Sequence, residues 1–310
     1  MSGPSAVVFA YHDVGVRCLE ALLSGGVRVT LVVTVPDDPG ERRWFASVAA
    51  SAADYGLPLL APADANTPEV ERQVASLQPD FVFSFYYRSL LGAALLGAGR
   101  RGALNLHGSL LPKYRGRAPV NWAILNGERE SGATLHYMVA QADAGDIVDQ
   151  MSVPILDDDD ARTVLAKVTL AAEIVLVRSL PGLIAGTAPR HPQRLEPGQY
   201  FGRRRPEDGR IDWNWPARRI HDLVRAVAPP FPGAFGDVGG ERWDVRRTRL
   251  SDRTAPRSGG AWLFGADGGL YVACGGGGVL RLLDVADARG PVDFARLARA
   301  LGQQRPLPLG

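Results

Sequence analysis

A chain of 310 residues that is 46% hydrophobic and 22% charged has the balance of an ordinary globular protein and enough apolar mass for one large and one small domain. Its formal net charge of +2 argues against nucleic acid as an obligatory partner. Cys18 and Cys274 lie far apart and form neither a CxxC motif nor a disulfide framework, which fits a reducing, cytoplasmic compartment.

The N-terminus lacks a charged n-region, and the apolar run Ala6 to Tyr11 is too short for a signal-peptide core. That run reads as a first strand, with His12 to Gly15 as a turn and Val16 to Leu23 as a helix that stops at Gly25-Gly26. Val27 to Val35 reads as a second strand, continuous in apolar residues as buried parallel strands are. A loop from Pro36, a helix over Trp44 to Tyr55 and a short strand over Leu57 to Leu60 follow. Thr67-Pro68-Glu69 places a cap and then Pro at the first position of a helix running to Leu77. Phe81 to Phe85 is another strand, and a small helix ends near Leu96. Strand alternating with helix calls for an α/β, Rossmann-like parallel sheet covered on both faces.

Further along, Ala103 to His107 reads as the end of a buried strand, and Ala118 to Gly127 as a helix. Ala133 to Val139 and Ile147 to Val153 read as strands flanking Gln141 to Asp146. The four acids Asp157 to Asp160 precede a long helix to about Gly186; calcium binding is one reading, and a favourable interaction with the helix dipole is the simpler one. Within that helix Lys167, Glu173, Arg178 and Pro181 interrupt Val164 to Ile184, so it does not read as a membrane span. Pro189 to Pro206 is linker-like, dense in Pro and Arg. A helix near Ala217 to Ala228, short strands with Gly-rich turns and a final helix over Val292 to Leu301 describe a second domain that is a small barrel or sandwich. The domains are expected at 1–203 and 204–310.

Asn105 and His107 stand two apart on a strand, so they share a face. They lie at the carboxyl end of the strand, where open α/β sheets place ligands. An amide that can donate to a developing oxyanion and an imidazole that can move a proton suit acyl transfer. Asp143, in a loop after a strand, is the third candidate, because a carboxylate near an imidazole stabilises its cation. Spacing alone leaves open an ordinary strand end and turn, and does not show that Asp143 reaches His107. Of the other histidines, His12 at the end of the first strand is a supporting candidate. His136 fits a packed core position, and His191 and His221 fit structural or solvated ones. Gly97 to Gly102 matches the dinucleotide fingerprint by letter, but it precedes a strand instead of following one. No cluster has metal-ligand spacing, so no metal is expected.

The stretch Asn105-Leu-His-Gly-Ser-Leu-Leu-Pro-Lys-Tyr-Arg-Gly-Arg-Ala-Pro119 closely resembles the signature of the folate-dependent formyltransferases, and Asp143-Ala-Gly-Asp146 resembles their second motif. Ala10 to Asp13, Phe83 to Arg88, Phe201 to Arg204, Val224 to Val227 and Pro232 to Phe235 resemble one branch in particular. That branch is the formyltransferase domain of the bifunctional enzyme that formylates UDP-4-amino-4-deoxy-L-arabinose (UDP-L-Ara4N) in lipid A modification. The resemblance spans essentially the whole chain, which at 310 residues has no room for the fused decarboxylase and would stand alone.

The resemblance implies roles position by position. Asn105 would stabilise the oxyanion, His107 would donate and accept the proton, and Asp143 would raise the histidine's pKa. Arg117, Phe85, Tyr86 and the backbone Val139-Ala140-Gln141-Ala142-Asp143 would hold 10-formyltetrahydrofolate. Arg88, Lys113 and Arg115 are candidates for the phosphates of a nucleotide-sugar substrate. The implied acceptor is UDP-L-Ara4N or another UDP- or dTDP-linked amino sugar. The alternative is methionyl-tRNA formyltransferase, whose members usually carry a basic loop after the second strand. Here that loop, Pro36 to Arg43, has more acids than bases, and Gly108 stands where those proteins tend to have Ala. A formyltetrahydrofolate hydrolase and a non-catalytic sensor are further alternatives; intact Asn105, His107 and Asp143 speak against the sensor. Neither nucleic acid nor membrane is expected as a partner, and the oligomeric state is not legible.

Overall fold

A computed structural model describes residues 3–36, 43–301 and 306–309. The chain clusters into two compact units, neither continuous in sequence. The first comprises 1–119, 130–153 and 165–202; the second comprises 120–129, 154–164 and 203–310.

The elements, in chain order, begin with β1 (Ser5–Ala10), α1 (His12–Ser24), β2 (Arg28–Val33), α2 (Val48–Asp54), β3 (Leu59–Leu60) and α3 (Pro68–Ser76). Next come β4 (Phe81–Phe85), α4 (Ala93–Leu96), β5 (Gly102–His107), β6 (Arg115–Gly116), α5 (Pro119–Leu125), β7 (Glu130–Tyr137) and β8 (Ile147–Pro154). Helix α6 (Ala161–Ala185) and β9 (Tyr200–Phe201) follow. The rest is α7 (Ala217–Ala226), β10 (Ala234–Val238), β11 (Glu241–Ser251), β12 (Ala261–Ala266), β13 (Gly269–Ala273), β14 (Val279–Asp287), β15 (Gly290–Pro291), α8 (Phe294–Leu301) and β16 (Leu307–Leu309).

In the first unit one sheet runs β3-β2-β1-β4-β5-β7-β8. It is parallel from β3 to β5, as the strand–helix alternation requires, and β7 joins β5 antiparallel. β1 and β4 are buried along their whole lengths, which explains their unbroken apolar sequence. The cap expected at Thr67 is present: its hydroxyl accepts from the Val70 N–H, and Pro68 opens the helix.

Two helix starts differ from expectation. Helix α1 begins at His12 instead of Val16, because burial of Val14 and Val16 extends it back over residues whose Gly suggested a turn. Helix α2 begins at Val48 instead of Trp44, because Ser47 caps it. Phe45 stacks on His12 at 4.2 Å, and Trp44 meets the same ring edge-on at 4.8 Å. His12 is thus held in an aromatic cluster. The loop before it falls mostly on 37–42, outside the described residues.

Helix α6 has the length and apolarity to cross a membrane. One face, including Val164, Val168, Val175 and Leu176, is buried, and outside it Glu173 and Arg178 pair with Arg17 and Asp149. A core helix accounts for all of this. The linker-like run before residue 203 is ordered into the first unit: β9 pairs with β6, and His191 bridges Ile147.

The second unit is an antiparallel sheet in the order β10-β11-β14-β13-β12-β16, with Trp213, Ile220, Leu263 and Leu280 in its core. The acidic run belongs here and is divided among partners. Asp157 pairs with Arg218, Asp158 with Arg249, and the Asp159 carboxylate accepts from Leu156 N–H. Asp160 alone serves the helix start, accepting from Thr163 N–H. His221 is buried; it bonds Thr248 Oγ1 and the Asp157 carbonyl, a structural role.

Candidate active site

The site is built at the carboxyl end of β5, entirely from the first unit. The antiparallel register of β5 on β7 sets Asn105 opposite His136 and His107 opposite Thr134, and residues directly opposite share a face. Both histidines are buried, at 6% exposure for His107 and 1% for His136. Asp143 Oδ1 lies 3.6 Å from His107 Nδ1 and 3.6 Å from His136 Nε2. It is also 3.5 Å from Asn105 Nδ2. The three predicted residues therefore do meet, and with them comes a fourth, His136, which the sequence placed in the core.

Carbonyl oxygens only accept, and that fixes both imidazole tautomers. His107 Nε2–H donates to the Tyr114 carbonyl at 2.9 Å, so Nδ1, facing Asp143, is the nitrogen left to exchange a proton. His136 Nδ1–H donates to the Tyr137 carbonyl at 2.8 Å, and Nε2 faces Asn105 Nδ2 at 3.1 Å. A neutral Nε2 accepts one amide hydrogen of Asn105, which orients that side chain. Among the described residues the second amide hydrogen has only the long contact to Asp143, and it is available to an incoming oxygen.

Asp143 is itself held. Its backbone is in the left-handed region, at φ 53°. Gly116 N–H donates to its Oδ2 at 2.9 Å. Gln193 Nε2 donates to the carbonyls of Asp143 and Gly145 at 3.0 and 2.7 Å. A Cβ at Gly145 would sit 2.0 Å from the Tyr137 carbonyl oxygen, so only glycine lets the loop pack here. Burial on its own would push the Asp143 carboxyl up, but the charge His107 and His136 carry when protonated, with the Gly116 N–H, outweighs it and holds the group well below the usual carboxylate range.

The loop between β5 and β6 is tied down by Thr134. Its hydroxyl accepts from Leu111 N–H at 3.1 Å and donates to the Ser109 carbonyl at 2.6 Å. Gln150 Nε2 bridges Thr134 and the Leu111 carbonyl. At the other side of the loop, the Tyr86 hydroxyl is sealed and has no hydrogen-bond partner among the described residues. A Cβ on Gly108 would stand 1.9 Å from that oxygen and 2.9 Å from Cζ. Gly108→Ala is therefore expected to cost about 1–3 kcal/mol by overpacking and to displace His107. Gly108→Ala/Tyr86→Phe should regain part of the stability, since it removes the nearer clash. Chemical denaturation of the single and double variants checks this, and an Ala that costs nothing would show that the ring moves freely.

The remaining predicted positions divide. Val139, Ala140 and Gln141 are exposed in the loop before Asp143, as backbone offered to a ligand must be. Arg117 is exposed, and its Nη2 donates to the Arg88 carbonyl at 3.3 Å. Arg88 is exposed and lies over the Tyr11 ring at 4.4 Å. Lys113 is exposed. Phe85 is a correction: it is wholly buried and stacked on Phe83, because β4 is a central strand covered on both faces. It cannot present its side chain to a ligand. Arg115 is buried, with 6% exposed. Among the described residues no group of three or more His, Cys, Asp or Glu side chains is placed to hold a metal.

Residues 6–180 match the Formyl transferase family, and residues 204–300 match the Formyl transferase C-terminal domain. The chain belongs to the formyl transferase family. This formyltransferase is similar in fold to the N-formyltransferase from Helicobacter canadensis solved with folinic acid and dTDP-3-aminofucose. The TM-score is 0.71 at 20% identity, covering 90% of this chain and 98% of that one. A sugar 3N-formyl transferase solved with dTDP and 5-N-formyl-THF gives a TM-score of 0.71 at 18% identity, over 90% and 97% of the two chains. A 4-N formyltransferase from Francisella tularensis gives 0.63 at 21%, over 78% and 96%.

Proposed function

We propose that this formyltransferase moves the formyl group of 10-formyltetrahydrofolate to the amino group of a nucleotide-linked amino sugar. The observation that carries the reading is the convergence of Asn105, His107 and Asp143 beside the exposed backbone of 139–141. In this reading the acceptor amine attacks the formyl carbon, and the carbonyl electrons move onto oxygen. Asn105 Nδ2–H meets that oxyanion, a contribution of about 3–4 kcal/mol for one oriented donor. Collapse breaks the bond from carbon to N10, which leaves with a proton, while the new amide nitrogen gives one up. His107 Nδ1 is the group placed to carry it, and Asp143 stabilises the imidazolium.

The solved relatives support the acceptor class through the ligands they hold, folinic acid with dTDP-3-aminofucose in one and dTDP with 5-N-formyl-THF in another. The branch resemblance puts UDP-L-Ara4N first, and a dTDP-linked amino sugar second. We assign folate binding and the chemistry to residues 1–203, and a reducing, cytoplasmic setting in which the buried thiols Cys18 and Cys274 stay free.

Incubating the protein with 10-formyltetrahydrofolate and, in turn, UDP-L-Ara4N, dTDP-linked 3- and 4-amino sugars and charged initiator tRNA tests the reading. Formylation of a nucleotide sugar with weak salt dependence is expected. Transfer to the tRNA alone, falling by roughly a thousandfold or more between low and moderate salt as many phosphate contacts require, would overturn the substrate class.

A further inference from the structure

Four charged side chains among the described residues are buried below a tenth of their surface: Arg115, Asp159, Asp222 and Arg225. Asp222 and Arg225 pair with each other, and Asp159 accepts from the Leu156 N–H. Arg115 differs. Its Nε and Nη1 are sealed and have no hydrogen-bond partner among the described residues. A guanidinium does not shed its proton, and a buried charge without a partner is costly enough that proteins supply one.

The carboxylate of the site does not supply it: neither Asp143 oxygen is a hydrogen-bond partner of Nε or Nη1. Asp143 turns Oδ1 to the two histidines and Asn105, and Oδ2 to the Gly116 N–H. The backbone on either side of Arg115 is nonetheless fastened to the reacting centre. Tyr114 gives its carbonyl to His107 and Gly116 gives its N–H to Asp143. Arg115 N–H itself donates to the Gln199 carbonyl at 3.0 Å, so the strand that carries it is fixed from both ends.

We propose that the Arg115 guanidinium is the seat of an oxyanion borne by one of the two ligands that meet at Asn105, His107 and Asp143. This rests on the reading given under Proposed function, in which both ligands carry such groups: phosphates on the nucleotide sugar and glutamyl carboxylates on the folate. A planar array of donors held rigid by burial suits either one. The exposed cations Arg88, Lys113 and Arg117 are placed to add diffuse attraction, whereas Arg115 would fix position.

Isothermal titration of wild type, Arg115→Met and Arg115→Lys with dTDP, with UDP and with 5-formyltetrahydrofolate distinguishes the two sources. Met keeps much of the volume and removes the donors. Arg115→Met should weaken one ligand class by at least about tenfold, as loss of a charged hydrogen bond does, and leave the other within about twofold. Loss on the nucleotide side assigns a phosphate; loss on the folate side assigns a carboxylate. Arg115→Lys, which keeps the charge and loses the planar array, should fall between; it carries the test if the Met variant does not fold. Unchanged affinity for all three ligands in a folded variant overturns the proposal, as does equal loss of both classes, which marks a distorted β6. Wild type that binds none of the ligands overturns the proposed function and this assignment with it.

Discussion

His107→Ala is expected to lower formyl transfer at least a hundredfold, within the range that an acid–base group contributes. The residue is buried, and its Nε2–H satisfies the Tyr114 carbonyl, so the variant should also lose about 1–3 kcal/mol of stability through the orphaned acceptor. Rates are therefore compared on protein shown to be folded by circular dichroism, at a temperature well below its transition. A folded variant with near-normal turnover would remove His107 from the mechanism. Asp143→Asn is the companion, since it keeps the shape and removes the charge facing Nδ1. Turnover should fall, because the cation that forms at Nδ1 loses the carboxylate facing it. Its stability has a separate signature. The folded Asp143 pKa is depressed, so its stabilising contribution is complete above the unfolded value, about pH 4, and fades as pH falls through the folded value. Wild type and Asp143→Asn should differ by a constant amount at neutral pH and converge in acid.

Arg225→Met is expected to be the most destabilising single change away from the site, at about 3–5 kcal/mol. Arg225 Nε donates to Asp222 Oδ1 at 2.9 Å, and Nη1 reaches the carbonyls of Asp159 and Leu156 at 3.1 and 3.3 Å. Both members of the pair are buried, Asp222 at 3% exposure and Arg225 at 7%. Removing the guanidinium strands a buried carboxylate and takes one donor from each of two carbonyls. Arg225→Met/Asp222→Leu should recover a large part of the loss, because it removes the stranded charge too. Urea unfolding followed by tryptophan fluorescence reads this directly, since all six tryptophans except Trp44 lie in the unit that contains the pair. A double variant no more stable than Arg225→Met would show that the two carbonyls, not the carboxylate, set the cost.

The chain's local pattern was sufficient for the elements whose signals are carried by their own residues. Unbroken apolar runs marked β1 and β4, Thr67-Pro68 marked the start of α3, and spacing put Asn105 and His107 on one face of β5. The signature from Asn105 to Pro119 carried the enzyme class for the same reason: it concentrates the chemistry in one contiguous stretch. What the sequence could not hold was pairing between distant segments. His136 is 31 positions from Asn105 and becomes its neighbour only because β7 runs antiparallel against β5 in one register. Phe85 and Arg115 each looked ligand-facing from their place beside a motif, and only packing decided that one is core and the other a buried cation whose Nε and Nη1 have no hydrogen-bond partner among the described residues. The run from Pro189 read as a linker because its partners, β6 and the Asp143 loop, lie 44 or more residues away. Propensity and spacing are properties of neighbours along the chain, whereas burial, hydrogen-bond partnership and the depressed pKa of Asp143 are properties of neighbours in space.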